Sequence, residues 1–398
     1  MSESDIKAVT DLAQVLRRSA ELKEDLVAFG GSRPFERFLD PLLSEAVGPD
    51  DVGDEATATN VIDHFLLQYR LPDGNTVADQ FVTRRTALTD ADRRMILAWR
   101  DPVEGLFEVR SRHGDSLLLL NLLDDLEYRA YTNAGRTALR KITKGSFLSA
   151  RLVALAPVPG AWLFSGVMSS YPRSAMPEIA AAALDLATRR PDLVFRNPEK
   201  VEQGWRSMCE DRAAFTTFFG SDELILTPEE TEHRIDAYYR HRQHPAGSGQ
   251  RTVSPRGGQP TAPEPPLFTL SPELAEAETV GVIYDQVDGL NFYADYGSLR
   301  DLFANPGLPG RKHHQDLLRT YLRDESITPL PIRRLAAAYP ETVDTVFQKL
   351  LRQPDFTWNE HGNALLRRRK PWYVESEQRP GVSVIGDRLS ELLRNRQF

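Results

Sequence analysis

The period of the hydrophobic pattern changes at Gly105, and this change constrains the fold more than any other feature of the sequence. Before Gly105, apolar residues recur every three or four positions, as they do in amphipathic helices. After it they form short runs, some of them alternating, bounded by Gly, Asn, Asp or Pro, which is typical of β-strands and turns. Such runs, within about 65 residues, predict a small closed β-barrel of the SH3-like or OB-like kind. The predicted strands are Leu106–Arg110, Leu117–Leu120, Glu127–Tyr131, Phe147–Leu155 and Trp162–Met168.

Helical patterns flank the predicted barrel on both sides. Apolar stripes predict two helices between residues 4 and 46, a third near residues 61–69, and a fourth that begins at Thr89. The fourth opens with Thr-Asp-Ala-Asp, which resembles a capping box with Asp92 at its third helical position. Further helices are predicted at Met176–Arg190, at Glu199–Phe219 and from Thr227 onward. The chain is therefore predicted to have an α+β fold.

The clearest boundary in the sequence is HPAGSGQRTVSPRGGQPTAPEPP, residues 244–266, whose composition predicts a flexible linker. Beyond it, Thr279–Tyr284 and Leu290–Asp295 predict a β-hairpin, and helical patterns follow. The predicted organisation is a helical N-terminal region at 1–104, the barrel at 105–172, a helical region packed on the barrel at 173–243, the linker at 244–266, and a C-terminal α+β domain of hairpin plus helices at 267–398.

Charge and cysteine content exclude several classes of protein. The net charge is −8, and residues 1–60 alone carry 13 acidic against 6 basic residues, so the rest of the chain is close to neutral. Nucleic-acid binding by overall charge needs a surplus of Lys and Arg, which the whole chain lacks, although a local patch is compatible with these totals. The single cysteine, Cys209, excludes an intrachain disulfide framework and a multi-cysteine zinc site.

The sequence predicts a cytoplasmic protein without a membrane segment. The N-terminal MSESDIKAV lacks a basic stretch followed by an apolar run, so we expect no secretory signal. The longest apolar runs, such as Leu117–Leu120 and Ala180–Leu184, are far too short to span a bilayer. One cysteine is compatible with a reducing compartment.

Two serines in GSFLSARLVALAPVPGAWLFSG, residues 145–166, are the first candidates for catalysis. A nucleophile elbow needs Gly-x-Ser-x-Gly between a strand and a helix. Ser165 lacks the first glycine, and both Ser149 and Ser165 fall inside predicted strands. We interpret them as small residues on packed strands, with Pro157–Gly160 as the turn between two barrel strands.

The histidines and acids do not form a metal or catalytic pattern. His233, His241 and His244 lie on one predicted helix, but their spacing is not the usual pair four residues apart that zinc sites use. Asp124 and Asp125 are explained by turn chemistry, because Asp accepts a hydrogen bond from the backbone two residues on. No phosphate-binding glycine loop or calcium loop occurs. We predict no catalytic residue, no metal and no cofactor.

The best candidate for a binding site is RRRKPWY near the C-terminus. Four consecutive cations followed by two aromatic residues would suit contacts with phosphates and stacking on bases. The alternative is a solvated helix end, where cations complement the helix dipole and Pro371 stops the helix. The candidate contacts to nucleic acid or another anion are Arg367, Arg368, Arg369, Lys370, Trp372 and Tyr373.

Residues 64–172 resemble a set of uncharacterised bacterial proteins, some of which carry a C-terminal SEC-C zinc module. The resemblance lies in DHFLLQYRLPDGNTVADQF, LTDADRRMILAW, GLFEV, LLDDLEY, KGSFLSARLV and WLFSG, which are turn glycines and core apolar residues. It implies a helical segment leading into a small β-barrel. A SEC-C module needs several cysteines and is absent here, so the resemblance implies no zinc and transfers no catalytic residue.

These observations favour a non-catalytic cytoplasmic binding or adaptor protein, whose barrel offers a surface to another protein. A second hypothesis is a nucleic-acid-associated factor that uses the barrel face together with Arg367–Tyr373. A third is an enzyme with a site between the two domains, for which His233, His241, Asp285 and Asp295 are the candidate groups. No feature of the sequence indicates an oligomeric state or a contact with membranes.

Overall fold

The computed structural model describes residues 3–46, 55–135, 137–156, 158–243, 265–305, 307 and 312–394. These residues form 17 α-helices and eight strands, and the strands lie in two separate sheets. The α+β class predicted from the sequence is confirmed. Most of the predicted linker, residues 244–264, lies outside the described residues. Within the described part of the chain, no helix combines the length and the apolar character that a membrane span requires.

The described chain divides into two units. Unit 1 comprises the described residues of Met1–Val201 and Ser383–Phe398, and unit 2 comprises those of Glu202–Val382. The predicted domains divide the chain differently, because they place residues 383–398 with the C-terminal domain and residues 202–243 with the region packed on the barrel. Residues 383–398 belong to unit 1 because Leu389 and Leu392 of the last helix are buried in a cluster with Leu106 and Phe147 of the barrel. Residues 202–243 belong to unit 2, where Phe215, Ile235 and Tyr238 are buried in a cluster with Val280 and Val282.

Five helices precede the barrel in unit 1: α1 (Glu3–Gly30), α2 (Arg33–Ala46), α3 (Glu55–Leu67), α4 (Val77–Arg84) and α5 (Asp90–Ala98). The predicted capping box of α5 is confirmed: Asp92 N donates to the Thr89 hydroxyl at 3.2 Å, and Thr89 N donates to the Asp92 carboxylate at 3.0 Å. A second capping box, between Thr76 and Asp79, begins α4, which the hydrophobic pattern did not predict. The five helices share one apolar core, which includes Trp99.

Five strands form the closed barrel that the period change predicts: β1 (Val103–His113), β2 (Ser116–Asn121), β3 (Glu127–Tyr131), β4 (Phe147–Ala154) and β5 (Ala161–Tyr171). Their order around the barrel is β1-β2-β3-β5-β4. Arg129–Tyr131 pairs in parallel with Ala161–Leu163, and the other neighbouring strands are antiparallel. A side chain at Gly105 would place its Cβ 2.4 Å from the Asn121 carboxamide oxygen, so β1 needs glycine there.

Alternate residues of the strands fill the barrel, as the pleat of a strand requires. The interior contains Val103, Phe107, Val109, Leu117, Leu119, Tyr128, Ala130, Leu148, Ala150 and Leu152. Leu139 and Ile142, from the segment between β3 and β4, extend this core.

The rest of unit 1 packs on the outside of the barrel. A 3₁₀ turn (Arg173–Ala175) leads into α6 (Met176–Arg189) and α7 (Pro191–Val194), and α17 (Asp387–Arg394) returns to pack against α6. Arg388 of α17 donates from Nε and Nη2 to the two oxygens of the buried Glu108 on β1, at 2.7 and 2.9 Å. This paired contact attaches the end of the chain to the barrel.

The boundary between the units falls within α8 (Pro198–Phe219). Unit 2 contains a three-stranded antiparallel sheet of order β6-β7-β8, formed by β6 (Glu223–Leu226), β7 (Val280–Asp285) and β8 (Gly289–Ala294). The predicted hairpin is confirmed, whereas β6 was not predicted. The other helices of unit 2 are α9 (Pro228–Gln243), α10 (Pro272–Ala275), α11 (Tyr296–Ala304), α12 (Lys312–Arg323), α13 (Leu330–Ala338), α14 (Val343–Leu351), α15 (Trp358–Arg369) and α16 (Pro371–Glu375).

Arg388→Ala tests the attachment of α17. We expect the variant to lower the free energy of unfolding of unit 1 by about 2 kcal/mol, because a buried carboxylate loses two charge-assisted hydrogen bonds. Urea unfolding followed by circular dichroism measures the loss. Arg394→Ala, on the same helix, is the control, since within the described residues the Arg394 side chain donates only to the Ser390 carbonyl, at an exposed position. Equal effects of the two variants would contradict the prediction.

Candidate functional site

Helices cover part of the outer surface of the barrel and leave another part open. Helices α6 and α7 pack on β1, α5 packs on β4, and α3 packs on β5. Among the outward-facing side chains of β2 and β3, Ser116 and Leu120 are buried, but Leu118, Glu127, Arg129 and Tyr131 are partly or fully exposed. We call this surface, together with residues 110–113 at the end of β1, the β1–β2 turn and residues 137–146 beside them, the open face.

Backbone contacts bring the segment 137–146 next to the end of β1. Gly145 N donates to the Val109 carbonyl at 2.8 Å, and Val109 N donates to the Ser146 carbonyl at 2.9 Å. Further along β1, the guanidinium of Arg112 donates to the Leu139 carbonyl at 3.2 Å. Residues that are far apart in the sequence therefore lie along one edge of the open face.

The open face is rich in cations. Its exposed basic residues are Arg110, Arg112, Arg129, Arg140, Lys141 and Lys144. Arg110 is already bonded to the Glu108 carboxylate at 3.2 Å. Within the described residues, no carboxylate lies within ion-pair distance of Arg129, Arg140, Lys141 or Lys144. The net charge of the whole chain is −8, so these cations differ in sign from the net charge of the protein.

The turn between β2 and β3 is held by Asp124, which is fully buried. Its carboxylate accepts hydrogen bonds from the Tyr128 hydroxyl at 2.6 Å, Leu126 N at 2.9 Å and the Asn121 amide at 3.0 Å. Burial raises the pKa of Asp124 to about 6, although these hydrogen bonds act in the opposite direction. The bond from Leu126 N confirms the turn role predicted for Asp124.

The predicted contact residues Arg367–Tyr373 do not form one surface. Arg367, Arg368 and Arg369 are exposed in the last turn of α15, and Trp372 is exposed just beyond it. Lys370, in contrast, is fully buried, and its ammonium group donates to the Asp324 carbonyl. Burial lowers the pKa of Lys370. The prediction of Lys370 as a phosphate contact is therefore wrong, since four consecutive residues cover a full helical turn and one of them points inward.

Tyr373 is also engaged within unit 2. Its hydroxyl donates to one oxygen of Asp288 at 2.8 Å, and the Thr328 hydroxyl donates to the other at 2.7 Å. The guanidinium of Arg333 lies 5.9 Å from the centre of the Tyr373 ring. Tyr373 thus connects the hairpin turn to α16, and only the three arginines and Trp372 keep the exposure that the predicted contacts need.

Three of the four groups named for a possible catalytic site have local structural partners. Asp285 accepts from Val287 N at 2.8 Å within its own turn, and Asp295 accepts from Glu278 N at 2.8 Å. The His241 ring packs 5.2 Å from the Phe218 ring. His233 lines a cavity beside residues 266–269. In the part of the chain that the structure describes, no group of three or more His, Cys, Asp or Glu residues could hold a metal ion.

A buried polar network, which the sequence analysis missed, joins the N-terminal helices to the barrel. Its centre is Asp63 of α3, which is 3% exposed and is contacted by the Lys23 ammonium group. Ser165 on β5 donates to Asp63 at 2.8 Å, and Arg151 on β4 donates to it at 3.0 Å. Burial favours the neutral acid, but Lys23 and Arg151 outweigh it and hold the pKa of Asp63 below its usual value.

The network gives Ser165 a structural role. The hydroxyl hydrogen is donated to Asp63, and the side chain is almost fully buried, so no substrate carbonyl can approach it. This agrees with the interpretation of Ser165 as a strand residue and adds its partner. Lys23 and Ser165, which are hydrogen-bonded to each other in this network, are 142 positions apart in the sequence, so no local pattern could have revealed the network.

Comparison with known proteins gives no match to a protein-family model, to a curated protein sequence or to a solved structure.

Asp124→Asn tests the buried carboxyl of the β2–β3 turn. The folded state binds the proton more tightly than the unfolded state, since its pKa of about 6 exceeds the ordinary value of about 3.9. The stabilising contribution of Asp124 is therefore greatest below about pH 4 and falls as the pH rises to about 6. The free energy of unfolding of the wild type exceeds that of the variant by an amount that we expect to fall by about 3 kcal/mol between about pH 4 and pH 7. Urea unfolding across this range measures it, and a constant difference would contradict the prediction.

Asp63→Asn tests the network between helices and barrel. We expect a loss of about 3 kcal/mol in the free energy of unfolding near neutral pH, because Lys23 and Arg151 lose the charge that compensates them. Asp185→Asn is the control, since the Asp185–Arg189 pair is exposed on α6 and contributes little. Chemical unfolding of both variants distinguishes the two cases, and a loss for Asp63→Asn no larger than the control would refute the role of the network.

Proposed function

We propose that the chain is a non-catalytic binding protein whose barrel binds single-stranded nucleic acid on the open face. The observation that carries the proposal is the cluster of exposed cations on this face of an otherwise acidic protein. Lys and Arg side chains neutralise phosphates and release the counterions bound to them, which supplies most of the affinity of such contacts. Cytoplasmic location is part of the proposal, supported by the exposed thiol of Cys209, which persists in a reducing compartment.

We also propose that the barrel is OB-like rather than SH3-like. The strand order β1-β2-β3-β5-β4, with β3 parallel to β5, is the order expected of a five-stranded Greek-key barrel of the OB kind. Barrels of that kind bind oligonucleotides on the surface of their second and third strands and on the loop between the first two. In this protein Leu118, Arg129 and Tyr131 of the open face lie on the second and third strands, and Arg140, Lys141 and Lys144 add cations from the segment between β3 and β4.

The open face offers more than charge. Leu118 on β2 is paired with Arg129 on β3 and with Ser111 on β1, so an apolar side chain lies between polar ones in a single row. Tyr131, at the end of β3, is partly exposed and offers an aromatic ring. A base can stack on an aromatic or apolar surface while neighbouring cations contact the phosphates. Single strands expose their bases for such stacking, whereas duplexes do not.

The test is the binding of a fluorescent single-stranded DNA and RNA oligonucleotide, measured by anisotropy at several salt concentrations. We expect the affinity to fall as the salt concentration rises. In a variant that combines Arg129→Glu, Arg140→Glu and Lys141→Glu, we expect the slope of log affinity against log salt concentration to be smaller by about 2. These residues lack ion-pair partners in the described structure, so their replacement leaves the fold intact, which circular dichroism checks.

The matched control replaces Arg367, Arg368 and Arg369 by Glu, which changes the same number of exposed charges in unit 2. We expect this control to keep the salt slope and affinity of the wild type. Loss of binding in the control alone would assign the site to unit 2 and overturn the proposal for the barrel. Absence of salt-dependent binding in the wild type would also overturn it, and would favour another protein as the partner of the open face.

A further inference from the structure

A cleft of about 450 Å³ lies within unit 1, between β1, β4 and β5 of the barrel and helix α6. Its size is in the range of small-molecule sites. The polar side chains that line it are Asn60, Glu104, Ser149, Arg151, Asp185 and Arg189. Leu106, Val167 and Leu186 add an aliphatic wall. The open face and the cleft share none of these residues, so the cleft is a separate site.

Arg151 is held rigidly at this cleft. Its side chain is 14% exposed, and one terminal nitrogen donates to Asp63 at 3.0 Å while the other donates to Glu104. Asp63 is in turn fixed by Lys23 and Ser165. A guanidinium has five N–H donors, of which these two bonds use two. Binding sites commonly orient a ligand with a charged side chain that is itself held in place by hydrogen bonds to other residues, as Arg151 is held here.

Glu104 supplies a negative group beside this cation. Its Oε1 atom accepts from Arg151, and within the described residues its Oε2 atom has no hydrogen-bond donor. Asp185 and Arg189, which also line the cleft, form a second and more exposed ion pair. The cleft therefore presents two pairs of opposite charge against an aliphatic wall, and the Arg151–Glu104 pair is the less exposed of the two.

We infer that this cleft binds a small zwitterion with an aliphatic side chain, such as a free amino acid, with its carboxylate on Arg151 and its ammonium on Glu104. A simple anion would meet the carboxylates of Glu104 and Asp63, and a simple cation would meet the guanidinium of Arg151. A molecule that carries both charges satisfies both groups, since it places each charge against its opposite. The aliphatic wall then contacts the side chain of the ligand.

The experiment uses calorimetric titration of the full chain with three probes: L-leucine, N-acetyl-L-leucine and L-leucinamide. The acetyl form lacks the ammonium charge, and the amide lacks the carboxylate. We expect L-leucine to bind and each blocked form to bind at least about tenfold more weakly, because one charged contact is lost. Equal binding of leucine and leucinamide would reassign the cleft to cations and overturn the inference.

Two variants on α6 locate the site. Ala182 lines the cleft, so Ala182→Trp fills it while every residue of the Asp63 network is retained, and we expect it to abolish the binding of L-leucine. Leu184 is 38% exposed and is not among the residues that line the cleft, so Leu184→Trp adds the same ring elsewhere and retains binding. Thermal unfolding confirms that both variants fold. Absence of leucine binding to the wild type, or equal binding by both variants, would refute the inference.

Oligonucleotide binding and leucine binding fail independently. The Ala182→Trp variant keeps all the basic residues of the open face, and the charge-reversed barrel variant keeps every residue of the cleft. A loss of one activity therefore leaves the other measurable in the same protein.

Discussion

Closure of the barrel through the parallel pairing of β3 with β5 is the constraint on which the rest of unit 1 depends. A closed barrel has no free strand edges, and its inward side chains fill the interior. Apolar side chains that point outward from it, such as Leu106, Phe147, Val153 and Leu163, then need cover from outside. Helices supply that cover. The outward residues of β2 and β3 include the polar or charged Ser116, Glu127, Arg129 and Tyr131, so this part of the barrel needs less cover.

A charge buried at the contact between helices and barrel adds specificity to this arrangement. Apolar surfaces can slide past one another at little cost, but Asp63 is stable only where Lys23, Arg151 and Ser165 all reach it. Helices α1 and α3 are therefore fixed in one register against β4 and β5. The same bonds orient Arg151, so the element that locks the packing also shapes the cleft beside it.

Local patterns were sufficient to predict the strands of the barrel, the hairpin of unit 2 and the capping box at Thr89. Features that depend on distant partners were not predictable. Strand β6 pairs with a strand that follows it by more than fifty residues, and α4 is too short to show a clear apolar stripe. Arg140, Lys141 and Lys144 of the open face do lie close together in the sequence, but the contacts that place their segment beside β1 join residues that are far apart. The longer run of cations, RRRK, loses Lys370 to the interior of unit 2.

Unit 2 is inserted into the chain of unit 1, since the residues of Glu202–Val382 lie between its two parts. Glu108 and Arg388, which join the barrel to α17, are 280 positions apart. During synthesis, the barrel residues Leu106 and Phe147 stay without the cover of α17 until α17 has left the ribosome, after every residue of unit 2. The nascent chain thus exposes an apolar surface that chaperones recognise. Helix α17, the last helix described in the chain, therefore completes unit 1, whose synthesis begins first.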